Sequence, residues 1–159
     1  MAGKTWLIIL TGLVVIIALI GVTFSGPIGN KIQQAEATVS KVFHHALDKS
    51  MYEGFKQTAD KLNKRGPVMV SKHLRLDKTD AGPGARITYF YSFTNHAASD
   101  FTPNKLNTNL QEKIDKSVCS NMKIKPSLEL GATYVFAYSG NDGVEITRIT
   151  VNKDNCTYK

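Results

Sequence analysis

The adjacent histidines His44-His45 are the first residues in this sequence that could hold a metal ion or pass a proton. Neighbours on a helix diverge by ~100°, so the two cannot ligate one ion from one face. No His-x-x-x-His spacing supports them, and Asp48 is a single partner four residues beyond His44. The stretch Asp77-Lys78-Thr79-Asp80-Ala81-Gly82-Pro83-Gly84 combines carboxylates with glycines, the materials of a cation loop or a phosphate cradle. It has neither EF-hand spacing nor the Gly-Lys-Ser/Thr of a P-loop, and it reads as a connecting turn. His73 and His96 stand alone beside strand ends, no Gly-x-Ser-x-Gly elbow is present, and no pair of carboxylates is spaced for acid and base work. No catalytic residue, metal or cofactor is therefore expected, and the chain does not read as an enzyme.

Two cysteines, Cys119 and Cys156, fall in the C-terminal quarter. Neither has a second Cys or His at ligand spacing. An even number in an exported chain reads as one disulfide, which removes both as nucleophiles. Tyr89, Tyr91, Tyr134 and Tyr138 alternate along two strand-like runs. Such rings could line a ligand pocket or stack nucleobases, but alternation places them toward a core, and nucleic acid is not an expected partner.

Positioning these residues is the task of an envelope-type architecture. Trp6 to Phe24, WLIILTGLVVIIALIGVTF, contains no charge and is long enough to cross a bilayer, with Trp6, Leu13, Ile17 and Phe24 marking its length. It is longer than a cleaved signal's apolar core, and Val22-Thr23-Phe24 is a poor cleavage site, so a retained anchor over residues 1–25 is expected. Its small residues Thr11, Gly12, Gly21 and Thr23 lack Gly-x-x-x-Gly spacing. Lys4 before the span and Lys31 and Lys41 after it nearly balance, so the cysteine pair sets the orientation. The N-terminus belongs in the cytoplasm and the following domain in the periplasm, where a disulfide persists. The chain carries a net charge of +7, and only Lys4 precedes the span, which leaves a basic surface suited to anionic headgroups or acidic partners.

After Ser25-Gly26-Pro27, apolar residues recur at steps of three and four from Ile32 to Leu62. This predicts an amphipathic helix to Asn63. Residues 26–48 read as a connector whose narrow stripe, Ile32, Ala35, Val39 and Val42, suits contact with another helix. Ser50-Met51-Tyr52-Glu53 matches a capping box and allows a break there, with the periplasmic domain occupying residues 49–159. A strand is expected from Val68 to Leu76, a loop from Asp77 to Ala85, and a strand from Arg86 to Asn95. Phe90 interrupts the polar face of that last strand, where it is placed to meet the connector or a partner. Thr102-Pro103 opens a helix that delivers Cys119, residues 121–130 read as irregular or as a short turn around Pro126, and Ala132–Ser139 and Val144–Asn152 form a hairpin across Asn141-Asp142-Gly143. The sum is an α+β fold, ordered α-β-β-α-β-β, with a four-stranded antiparallel sheet and helices on one face.

The segment holding ITYFYSF, Val118-Cys119, Leu130-Gly131-Ala132-Thr133-Tyr134, Tyr138, Asn141-Asp142-Gly143 and Cys156 resembles small bacterial membrane-anchored envelope proteins of unknown function, over about residues 63–156. The resemblance implies an envelope location and the disulfide, and brings no activity. The reading is a single-pass binding or assembly protein of the inner membrane, a subunit or scaffold partnered by the lipid bilayer and by other envelope proteins in a homo- or hetero-oligomer. Two alternatives stand beside it. One is a pilin-like subunit, although Lys4-Thr5-Trp6-Leu7-Ile8-Ile9 lacks the acid that pilins carry after their cleavage site. The other is a ligand-binding or enzymatic envelope domain whose site, lined by the four tyrosines, assembles only in the fold.

Overall fold

The computed structural model describes residues 27–156. Trp6, Leu13, Ile17 and Phe24, and with them the expected membrane span, lie outside the described residues. Among the described residues no helix is long and apolar enough to cross a membrane.

Helix α1 (Pro27–Asn63) runs without a break through Ser50-Met51-Tyr52-Glu53. The capping-box match carries no helix start, since helical residues on both sides supply the backbone partners that a cap would replace. The chain divides into two compact units, one ending at Phe43 and one beginning at His44. In the first unit the stripe residues Ala35, Val39 and Val42 are exposed, Val39 by 68 % and Val42 by 64 %, while the side chain of Ile32 lies outside what is described.

The second unit holds a mixed sheet, with helices on one face. Strands β1 (Val68–Ser71), β2 (Leu74–Gly82), β3 (Arg86–Phe93), β4 (Thr133–Ser139) and β5 (Glu145–Val151) lie in the sheet in sequence order. The expectation of four antiparallel strands is corrected twice. Lys72-His73 forms a tight turn that splits the expected Val68–Leu76 strand into β1 and β2, so the sheet among the described residues has five strands. The chain leaves β3 and returns into β4 through two helices, α2 (Pro103–Cys119) and α3 (Lys125–Glu129), and such a crossover makes β3 and β4 parallel. α3 is a short helical turn around Pro126, within the stretch 121–130 that is otherwise irregular.

The expected loop from Asp77 to Ala85 is mostly strand. Asp and Gly are poor strand formers, but pairing with β3 from Lys78↔Phe90 to Gly82↔Arg86 overrides that preference. A bulge between Leu76 and Lys78 accommodates Asp77, whose carboxylate accepts from Arg75 Nε at 2.5 Å and from the Ser92 hydroxyl. The turn contracts to Pro83-Gly84-Ala85, with Gly84 at φ 70° and Ala85 at φ 51°. Ala85 is fully buried in this left-handed conformation, and its carbonyl accepts from Thr133 N at 3.0 Å, which ties the turn to the start of β4.

Alternation sorts the sheet into two faces. Ile87, Tyr134, Tyr138, Ile149 and Val151 turn toward the helices and join Val118, Leu128, Ala132 and Cys156 in one core. Met51 and Phe55 of α1 and Leu110 and Ile114 of α2 pack on it. Each fully buried side chain such as Ile87 or Ile149 stabilises the fold by roughly 1.5–3 kcal/mol. Beyond Leu76, where β1 no longer covers the edge of β2, Asn63 substitutes for a strand: its amide donates to Thr79 O and accepts from Thr79 N, both at 2.8 Å. The Cys119–Cys156 disulfide, with Cα atoms 5.4 Å apart, joins the end of α2 to the segment after β5.

Candidate binding face

The four tyrosines lie on the helix-covered side. Tyr134 and Tyr138 are buried, Tyr89 stacks on Phe136 at 5.5 Å, and Tyr91 stacks on Tyr138 at 5.3 Å. Phe55 of α1 meets the Tyr134 ring edge-on at 5.6 Å, and the Tyr134 hydroxyl shares a 2.8 Å hydrogen bond with Ser127. Burial makes the phenolate costly, so the Tyr89 and Tyr138 hydroxyls are pushed up to about 12, and Tyr91 and Tyr134 are raised in the same direction. For Tyr134 the Ser127 hydrogen bond partly opposes that rise. These rings pack against one another and against helix side chains, as core residues do.

The face turned away from the helices carries different chemistry. Cross-strand register brings Lys78 of β2, Phe90 of β3 and Arg148 of β5 to one place, although 70 residues separate the two cations in sequence. Lys78 Nζ stands 4.5 Å from the centre of the Phe90 ring, and the Arg148 guanidinium 5.8 Å. Cations at this distance are attracted by the ring's electron-rich face, so two side chains that would otherwise sweep solvent are held over one aromatic. Each also has an acidic partner. Lys78 pairs with Asp80 at 3.2 Å, and Glu145 takes Arg148 through both oxygens at 3.0 and 2.7 Å. The Glu145 hydrogen bonds raise the Arg148 pKa further and keep it charged.

Arg86 completes the face. Its guanidinium lies over Gly82, where a Cβ would come within 2.7 Å of Nε, so the glycine makes the space the arginine occupies. Around these residues is a groove of about 480 Å³, lined by Asp80, Arg86, Thr88, Phe90, Val135 and Arg148 among others. Thr88 and Val135 are almost fully buried at its floor. Three cations, an aromatic ring and hydroxyl groups can accept carboxylates and an apolar side chain from a partner. A smaller groove lies between His45, Asp48, Lys49 and Tyr52 of α1 and the turn residues Pro83 and Gly84, which places both sequence features first considered as metal sites side by side. Among the described residues no three His, Cys, Asp or Glu side chains converge as a metal site.

Sequence reasoning singled out Phe90 but missed Lys78, Arg86 and Arg148 as its neighbours. The available signal was the aromatic out of place on a polar face; the missing information was the strand pairing of β2 with β3, which brings Lys78 to Phe90, and the parallel β3–β4 register, which brings Arg148.

No protein-family model matches the chain, and no curated protein matches it. Three solved structures share the fold. EpsS, a pilotin of the type 2 secretion system of Vibrio vulnificus, superposes with a TM-score of 0.58 over 72 % of this chain and 99 % of its own, at 14 % identity. AspS, the type II secretion system pilotin of Vibrio cholerae, gives 0.54 over 70 % and 97 % at 18 % identity. A protein of Pseudomonas aeruginosa described as secreted gives 0.57 over 69 % and 96 % at 14 % identity. At these identities the likeness establishes a common fold.

Proposed function

We propose that this chain is a non-enzymatic binding and assembly protein of the bacterial envelope, acting as a pilotin-like accessory subunit that docks a partner protein on its open sheet face. The observation that carries the reading is the Phe90 face: a groove lined by Arg86, Phe90 and Arg148, with Lys78 held over the same ring, on a domain stabilised by a disulfide. The pilotin fold of EpsS and AspS, matched over nearly the whole of each, supports the accessory role. The disulfide supports an oxidising compartment. Trp6–Phe24 is the anchor in this reading, holding the domain on the periplasmic side of the inner membrane with the N-terminus in the cytoplasm.

The test is crosslinking followed by affinity purification of the intact protein from membranes. A stoichiometric envelope partner, lost when Arg86 and Arg148 are both changed to Glu, is the expected result. Recovery of a lone monomer, or a partner that the double variant retains, overturns the proposal.

A further inference from the structure

The most exposed stretch of the second unit is the run from Lys64 to His73, in which every residue but the half-buried Gly66 is exposed. It contains β1, an edge strand whose outer side pairs with no other strand among the described residues. An open edge presents a row of backbone donors and acceptors, which an added strand can satisfy. Natural edges are commonly kept polar, yet here Val68, Met69 and Val70 are 42 %, 50 % and 49 % exposed. Basic residues bracket the apolar triplet: Lys64 and Arg65 before it, Lys72 and Arg75 after it. Among the described residues only Arg75 of these four has an acidic partner, Asp77.

The bracket decides what can pair with the edge. A second copy adding antiparallel about Met69 would set Arg65 of one chain opposite His73 and next to Lys72 of the other, and like charges brought together across a strand pair are destabilising. An extended segment with apolar residues between acidic flanks would meet opposite charges at both ends. The bulge between Met69 and Ser71 shortens the regular edge, so the added strand is short.

We infer that the β1 edge, Val68–Ser71, is a docking site for a short extended peptide segment of a partner protein in which apolar residues are flanked by Asp or Glu, bound as an added sheet strand. This surface is distinct from the Phe90 groove, and it stands whether or not that groove docks a partner.

The probes are four fluorescein-labelled nonapeptides titrated by anisotropy against the full chain in mild detergent: Asp-Glu-Val-Thr-Val-Thr-Val-Glu-Asp, the same peptide with Lys at the four acidic positions, and two forms of the acidic peptide N-methylated on alternate backbone amides, one in each phase. The acidic peptide is expected to bind at least tenfold more tightly than the basic one. One methylated phase should lose binding by tenfold or more while the other retains it, because alternate amides of an added strand face the sheet. Lys64→Glu combined with Lys72→Glu changes only exposed side chains and should exchange the preference toward the basic peptide. Binding insensitive to methylation in both phases would reduce the effect to charge attraction and overturn the inference. So would the absence of binding by the acidic peptide, in which case the lysines only guard the edge, or self-association of the wild-type chain through β1.

Discussion

Removing the disulfide by Cys119→Ala together with Cys156→Ala probes how the C-terminal segment is held. The bond links residues 37 apart in sequence. In the chain-entropy treatment a loop of that length stabilises the folded chain by about 4 kcal/mol, by restricting the unfolded ensemble. Two features of the fold bear on how much of that is realised. α2 packs along β5, so the bonded segments stay near each other without the bond. Cys156, however, is buried within the Val118–Leu128 core, and exchanging its sulfur for a methyl group removes contacts there as well. The loss therefore stays near 4 kcal/mol, which for a domain of this size lowers Tm by roughly 12–20 °C. The assay is thermal and urea unfolding followed by far-UV circular dichroism, run on the wild type, on the wild type with reductant, and on the double variant. Reduced wild type and variant should unfold together, well below the oxidised protein. Destabilisation under about 1 kcal/mol in both would refute the reasoning, because it would mean that the α2–β5 packing alone fixes the C-terminus.

Three further outcomes are expected. Asn63→Ala removes both hydrogen bonds to the Thr79 backbone and leaves that edge of β2 without a partner, so unfolding free energy in urea should fall by about 1–3 kcal/mol. Thr79→Val should be neutral or stabilising in the same measurement, because the Thr79 hydroxyl is buried with no hydrogen-bond partner, and an equal loss would contradict the structure. Stability should also decline in alkali: the unfolded tyrosines release protons near pH 10 whereas Tyr89 and Tyr138 hold theirs to about 12, so above pH 10 the unfolded state binds fewer protons and is favoured. Urea midpoints at pH 9, 10, 11 and 12 check this, with a fall confined to the upper end of the range.

Much of the helix-covered side was legible in the sequence. Strict alternation of Ile87, Tyr89, Tyr91 and Phe93 and of Tyr134, Phe136 and Tyr138 needs only the period of a strand, and Pro103 at the first turn of α2 needs only its fixed φ. Thr102 precedes that helix as read, though its side chain makes no capping bond. The open side was far less legible. Asp77, Asp80 and Gly82 have the composition of a loop, and only the β3 partner strand, with a bulge to absorb Asp77, makes them strand. The direction of β4 depends on how α2 and α3 return the chain, which no local pattern encodes. Lys78 meets Phe90 through the β2–β3 pairing and Arg148 meets it through the β3–β4–β5 register, so their cluster was invisible until the strands were ordered.

The central claim is that the Phe90 face is where a partner docks. Site-specific photocrosslinking in living cells tests it most directly, with benzoyl-phenylalanine placed at Phe90 and, as a control on an exposed surface of α2, at Lys116. The account predicts a discrete higher-mass adduct containing an envelope protein from position 90 and none from position 116. An adduct at Lys116 alone, or none at either position, would contradict it.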